Sequence, residues 1–164
     1  MQNMFIEIEG VKGESTSDQG KDKIECLSFN HGVSMPLTSG ASNTSRAHGR
    51  AVHQDFTFSK YLDIASATLN LKCSGGDDIK KIELTVFQAD VADGKPVQYY
   101  TITFESCIIT SVSIGGSGGD RATETVTFNY RKVKWSYGKQ GTGSPGGAKG
   151  KAEGGWDLEA NKKV

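Results

Sequence analysis

The residues of this chain best suited to chemistry are three histidines, three cysteines and a few close carboxylates, and their spacing decides which chemistry is open to them. His31, His48 and His53 form neither HxH nor HExxH, so no two imidazoles are set by sequence to aim at one ion. His48 is expected in a loop and His31 and His53 on strand faces, none with a catalytic role. Cys26, Cys73 and Cys107 lie far apart, are odd in number and include no CxxC. They are expected to be free thiols that behave as small buried hydrophobes, as in a protein that folds in a reducing compartment. Asp77-Asp78 and the acidic stretch from Asp90 to Asp93 do not follow DxDxDG, so they are expected as solvated turns. No metal ion and no cofactor is expected.

The glycine-rich stretches invite a nucleotide reading that their context removes. Gly141-Thr142-Gly143-Ser144-Pro145-Gly146 matches GxGxxG, but that motif acts by opening a helix whose amides face a pyrophosphate, and no helix pattern follows here. Gly115 to Gly119 lacks the Gly-Lys-Ser/Thr ending of a phosphate loop and reads as a hairpin loop. Asn43-Thr44-Ser45 fits a glycosylation sequon, which has no meaning without a secretory signal. Arg131, Lys132 and Lys134 interleave with Tyr130, Trp135 and Tyr137 as a nucleic-acid strip would. Alternation puts Lys132 and Lys134 opposite Trp135, which favours a half-buried strand instead. Nineteen basic and nineteen acidic side chains cancel, so no overall field draws nucleic acid or an anionic membrane. The first ten residues carry no signal-peptide pattern and no stretch is long and apolar enough to insert into a bilayer, so export would need machinery of its own.

The elements that carry these residues are mostly strands, because period-two alternation dominates. Met4, Ile6 and Ile8 form an apolar face opposite Phe5, Glu7 and Glu9. Residues 23–33 read as one strand, with Glu25, Leu27, Phe29 and His31 on one face and Ile24, Cys26, Ser28 and Asn30 on the other. Residues 34–50 have no period and read as a long loop. Val52, Gln54, Phe56 and Phe58 mark a third strand, and residues 60–73, with Tyr61, Leu62, Ala65 and Leu69 at helical spacing, read as one short helix stopped by Ser74-Gly75-Gly76. A strand through Ile82, Leu84 and Val86 ends near the turn at 92–96. Two long strands follow. The apolar parity switches in the first near Glu105-Ser106 and in the second near Arg131-Lys132, so each is expected to bend. Residues 138–154 read as a flexible loop, after which Trp156 and Leu158 point inward on a short final strand. The 164 residues suit a single domain, and the fold expected is mainly β: a single-domain β-barrel of two curved antiparallel sheets with one short α-helix.

Four stretches, in this order, resemble the haemolysin-coregulated protein family, the tube subunit of type VI secretion. They are Met4-Phe5-Ile6 with Val11-Lys12-Gly13-Glu14-Ser15; Phe56-Thr57-Phe58-Ser59-Lys60-Tyr61-Leu62-Asp63; residues 109–137 with Val112-Ser113-Ile114-Gly115-Gly116-Ser117-Gly118-Gly119 and Glu124-Thr125-Val126-Thr127-Phe128-Asn129; and Gly155-Trp156-Asp157-Leu158. The resemblance covers essentially the whole chain. It implies a non-enzymatic subunit whose homo-hexameric rings stack into a tube fired through a contractile sheath. It further implies that the rings hold secreted effector proteins in the lumen, meet sheath and tip-spike components, and pass from the bacterial cytoplasm to the extracellular space or a target cell without a cleaved signal.

Within that reading Ser28 and Asn30 are the candidate lumen-facing residues, since small polar groups allow weak and varied cargo contacts. Met35, Leu37, Arg46 and Arg50 are the candidate ring-stacking residues, because stacking needs surface on the annular faces and the loop over 34–50 that bears them is long. The rival readings are a phage-like tail tube protein without effector carriage and a monomeric β-sandwich binding module. An enzyme would require the histidines to converge with an acid in a pocket.

Overall fold

The structure is a computed structural model that describes residues 3–37, 48–89, 95–138 and 150–164. The glycine motif at 141–146, the sequon at 43–45, Arg46, residues 90–94 of the acidic turn and the middles of both long loops lie outside the described residues. Twelve described strands and one helix follow one another in the order β1 (Asn3–Ile8), β2 (Ile24–Glu25), β3 (Ser28–Asn30), β4 (Val33–Ser34), β5 (Val52–His53), β6 (Phe56–Tyr61), α1 (Ala65–Gly75), β7 (Asp78–Ala89), β8 (Pro96–Gly115), β9 (Thr123–Asn129), β10 (Lys132–Gly138), β11 (Lys151–Asp157) and β12 (Lys162–Lys163). All pairings are antiparallel. The mainly β architecture with one short helix is therefore as expected.

β8 organises the molecule. One of its edges pairs with β10 along residues 100–105 and then with β9 along residues 108–115, so a single strand serves two layers. The change of layer falls where apolar parity switches from Ile102 and Phe104 to Cys107 and Ile109, all four buried. Ser106 sits there at φ 53, in the left-handed region that turns a strand sharply. On the partner side β9 stops at Asn129 and β10 begins at Lys132, the second expected bend. The first layer runs β12-β11-β10-β8-β7-β1-β2, and the second comprises β3, β6, β9 and the C-terminal half of β8.

Between the layers Phe56, Phe104, Phe128 and Tyr130 meet at ring-centroid separations of 4.7 to 6.4 Å. Such tilted and edge-on pairs each add about 0.5–1.5 kcal/mol beyond the area they bury. Ile6, Ile24, Ile82, Leu84, Ile102, Val126 and Val133 complete the core, with Cys26 and Cys107 buried among them as the sequence suggested. Cys73 is half-buried.

Several expectations are corrected. Among the described residues the layers do not close into a barrel, since β3 pairs only with β6 and β8 beyond Ile108 pairs only with β9. The run expected as one strand over 23–33 breaks into β2, β3 and β4: β2 pairs β1, β3 pairs β6, and between them single bonds from Cys26 N to Met4 O (2.9 Å) and Leu27 N to Ser59 O (2.8 Å) bridge the layers. The same break separates Ser28 and Asn30 from the inward face of Ile24 and Cys26, with which alternation had grouped them. Phe5 is buried rather than exposed with Glu7 and Glu9, because the 11–23 segment folds over it and Gly20 lies against its ring, where a Cβ would overlap it. The helix starts at Ala65 rather than Lys60, since Lys60 and Tyr61 extend the ladder with β9. It ends as expected, at Gly76 with φ 64. Residues 34–37 and 48–50, expected as plain loop, flank a hairpin arm in which β4 pairs β5 and Leu37 bridges His48. Residues 151–154, expected as loop, belong to β11, because a backbone ladder with β10 requires no apolar side chains.

Candidate functional site

The outward side of the second layer is a lattice of hydroxyl and amide groups without charge. Two rungs cross all four strands, Ser28–Ser59–Thr125–Ser113 and Asn30–Thr57–Thr127–Ser111. Inward neighbours on the same strands, Phe58, Val126 and Phe128, supply the core, which is the division that period two dictates. Ser28 Oγ lies 2.5 Å from Ser59 Oγ, and Thr57 Oγ1 lies 3.0 Å from Thr127 Oγ1. Charge appears at the margins: Asp55 accepts from Asn129 Nδ2 at 2.8 Å, and Arg121 lies over the Tyr61 ring at 4.6 Å.

Both edges of this layer are open among the described residues. β3 has a strand partner only in β6, and β8 from Ile109 to Gly115 only in β9, since the β7 ladder begins at Ile108. Unpaired edges of this kind are templates for another chain. From the β3 edge the β4–β5 arm continues, and it is apolar on both faces: Val33 and Met35 lie on the side of His53, and Val52 lies on the other, beside Ser34. Helix α1 packs against β8, and its outward stripe carries Ile64 and Leu71 opposite buried Ala65, Ser66 and Leu69.

The arm is seated on the body by two histidines. Tyr130 donates its hydroxyl proton to Gln54 O at 2.9 Å, so His31 donates from Nε2 to the hydroxyl oxygen of Tyr130 at 2.6 Å. His53 stacks between Trp135 and Trp156 at interplanar angles of 16° and 23°, with Nδ1 buried and unpaired. Burial, and secondarily the neighbouring His53, holds the pKa of His31 below its ordinary value; burial does the same for His53.

A second polar cluster lies inside the layer. Lys60 and Glu124 are cross-strand partners and both fully buried. Lys60 Nζ stands 2.8 Å from Glu124 Oε2 and 2.8 Å from Asp63 Oδ1. Ser66 Oγ donates to Glu124 Oε2 at 2.7 Å, and Asp63 Oδ1 accepts Ala65 N–H at 2.9 Å. The carboxylate of Asp63 thus caps α1 while the ammonium of Lys60 anchors it to the sheet. The sequence contained the signal: Lys60 continues the inward parity of Phe56 and Phe58, and Glu124 that of Val126 and Phe128.

The structure places Ser28 and Asn30 together on the hydroxyl face, and Met35 and Leu37 exposed on the arm. Arg50, exposed, donates from Nη2 to the carbonyl of Leu158 in its own chain. His31 and His53 converge, which their spacing did not show, while His48 stays with its neighbour Gly49 O at 3.3 Å. The thiols of Cys26 and Cys107 are pushed up to about 12 by burial, far from the range of a nucleophile. A cavity of about 180 Å³ is lined by Glu14, Ser15, Thr16, Glu25, Tyr61, Asp63 and Arg121, without a histidine or cysteine. Among the described residues no group of three His, Cys, Asp or Glu could hold a metal ion, and no helix is long and apolar enough to cross a membrane.

Residues 5–137 match the protein family described as Type VI secretion system effector, Hcp. Protein hcp1 of Pseudomonas aeruginosa is 35% identical over 162 residues, 97% of this chain and 96% of that protein. The Major exported protein of the same organism is 26% identical over 137 residues, covering 79% and 77%. Of the solved structures, one described as a type six secretion system protein superposes with a TM-score of 0.88 at 28% identity over 100% of both chains. Hcp1 from Salmonella typhimurium does so at 0.81 and 29% over 99% of both.

Proposed function

The chain belongs to the Hcp family of type VI secretion proteins, and on that premise we propose that it is a structural tube subunit whose copies close head to tail into six-membered rings that stack. The observation that carries this reading is a four-stranded layer with an open edge on each side and an uncharged face between them. A β8 edge that meets the β3 edge of the next copy satisfies both rows of backbone groups, and repetition around a closed cycle leaves no edge exposed.

The hydroxyl face then lines the lumen, with Ser28 and Asn30 in its two rungs, and carries small secreted effectors. Fixed charges along a channel would hold oppositely charged cargo and repel the rest, whereas hydroxyls offer short-range, exchangeable hydrogen bonds. The arm with Met35 and Leu37 meets the adjacent ring, and Arg50 braces the arm through Leu158. The outer, charged layer faces the sheath, the tip spike meets a terminal ring, and the protein has no catalytic role of its own. Ring and cargo leave the cytoplasm through the apparatus without a cleaved signal.

Light scattering of the eluting protein together with negative-stain electron microscopy tests this. The expected species has about six times the 17.6 kDa mass of one chain and a central hole in end-on views. A monomer, or a particle without a hole, overturns the reading.

A further inference from the structure

We propose that the seat of the β4–β5 arm is an acid-sensitive latch, in which protons taken up by His31 and His53 release the arm from the body of its own chain. Each root of the arm carries one of these histidines. His31 and Gly32 join β3 to β4, and His53 closes β5 just before Gln54. The roots are tied to each other by Gln54 N to Gly32 O at 2.9 Å. They are tied to the body by the Tyr130 hydroxyl, which donates to Gln54 O and accepts from His31 Nε2. Both imidazoles also lie against Trp135, with ring centroids 6.2 and 6.3 Å away.

The seat fits neutral rings and has no counterion for charged ones. A second proton on His31 would go to Nδ1, among the rings of Phe56, Phe104 and Trp135. In the imidazolium form of His53 both nitrogens carry protons, and the buried Nδ1 would become an interior N–H without an acceptor. Indole faces attract a cation, but two imidazoliums against one indole repel each other. The charged groups described on the neighbouring elements are engaged elsewhere: Asp55 with Asn129, Arg50 on Leu158 O, Lys132 with Asp157 and Glu153 with Lys151. Glu105 and Lys134 share the outward side of the sheet with Lys132. Tyr130 and Cys107 stay neutral, since burial raises the pKa of each. Burial lowers the pKa of both histidines, and His53 lowers that of His31 further. A released histidine titrates near about 6.5, so the open arm takes up protons first as pH falls. Its population rises by up to about tenfold per pH unit for each histidine. The latch belongs to the single chain and does not depend on the ring reading; on that reading it also loosens the β3 edge at the joint between copies.

The chain has two tryptophans, and both stack on His53, so their fluorescence reports on the seat. Titration of the parent protein is expected to change their emission reversibly with a midpoint below about 6.5, while far-ultraviolet circular dichroism stays constant. A flat profile, a midpoint above that value, or loss of the circular dichroism at the same midpoint overturns the latch. Amide hydrogen exchange gives the second readout. Between pH 7.5 and 5.5, exchange at residues 32–34 and 52–54, corrected for its intrinsic pH dependence, should rise about tenfold or more while β9 stays protected. His53→Phe keeps an aromatic ring between the indoles without a titrating nitrogen, and the logarithm of that rise should fall by about half. A rise in the variant equal to that of the parent, or none in the parent, overturns the proposal.

Discussion

The two layers of this molecule differ most on their outward sides. In the first layer the rung Lys81–Glu105–Lys132–Asp157 alternates sign across four strands, and the charges pair within the chain: Lys132 with Asp157 at 3.8 Å, Lys81 with Glu83 at 3.3 Å and Glu7 with Lys23 at 3.1 Å. In the second layer the corresponding rungs are serine, threonine and asparagine throughout. On their inward sides the contrast reverses, since the first layer presents Ile82, Leu84, Ile102, Phe104 and Val133, and the second buries an ion pair beneath its hydroxyls. A solvated face tolerates paired charge at little cost. On the proposed reading the hydroxyl face lines a lumen, where a neutral surface favours no one sign of cargo charge.

The largest effect that would sharpen this contrast comes from the buried pair. Lys60→Met leaves Glu124 charged and without its main partner in the interior, and is expected to cost about 3–5 kcal/mol in urea unfolding. Adding Glu124→Leu should recover much of that loss, because apolar replacement of a whole buried pair is often neutral. A double variant as unstable as the single one would mean that the pair does more than satisfy itself.

Acid is expected to act next, at the seat of the arm. Both His31 and His53 have lowered pKa values in the fold, so as pH falls through about 6.5 the unfolded chain takes up protons before the native one does. Their contribution to stability is complete above that pH and is lost as pH falls toward their lowered folded values. The urea midpoint should fall with acidification over this window. A profile for His31→Gln as steep as that of the parent would remove His31 from the account.

On the hydroxyl face, Thr57→Val removes the bond to Thr127 and is expected to cost about 1 kcal/mol. On the charged face, Lys132→Ala removes a half-buried ion pair of 3.8 Å and should cost less than about 1 kcal/mol. Equal losses at the two positions would erase the difference between the faces as far as stability is concerned.

Much of the fold was legible because alternation reports on faces directly. Met4-Ile6-Ile8, Val126-Phe128-Tyr130 and the parity switches at Ser106 and Arg131 gave the long strands and their bends without any knowledge of partners. Short strands are less legible, since two or three residues carry no period: the run from Lys23 to Val33 looks continuous and is divided among three partners. Ser28 and Asn30 stand out in the sequence only as small polar residues, and cross-strand register ranks Ser59, Thr57, Thr125 and Thr127 beside them.

The sequence by itself determined which side chains face inward along each long strand, where the chain must bend, where the helix stops and which family the chain resembles, because these follow from local periodicity and from glycine's access to positive φ. Tertiary structure alone decided that Phe5 lies beneath Gly20, that Lys60 meets Glu124, that His31 and His53 share one aromatic seat and that two strand edges stay open among the described residues. Each of these depends on register and on long-range pairing, which bring together residues that no local pattern relates.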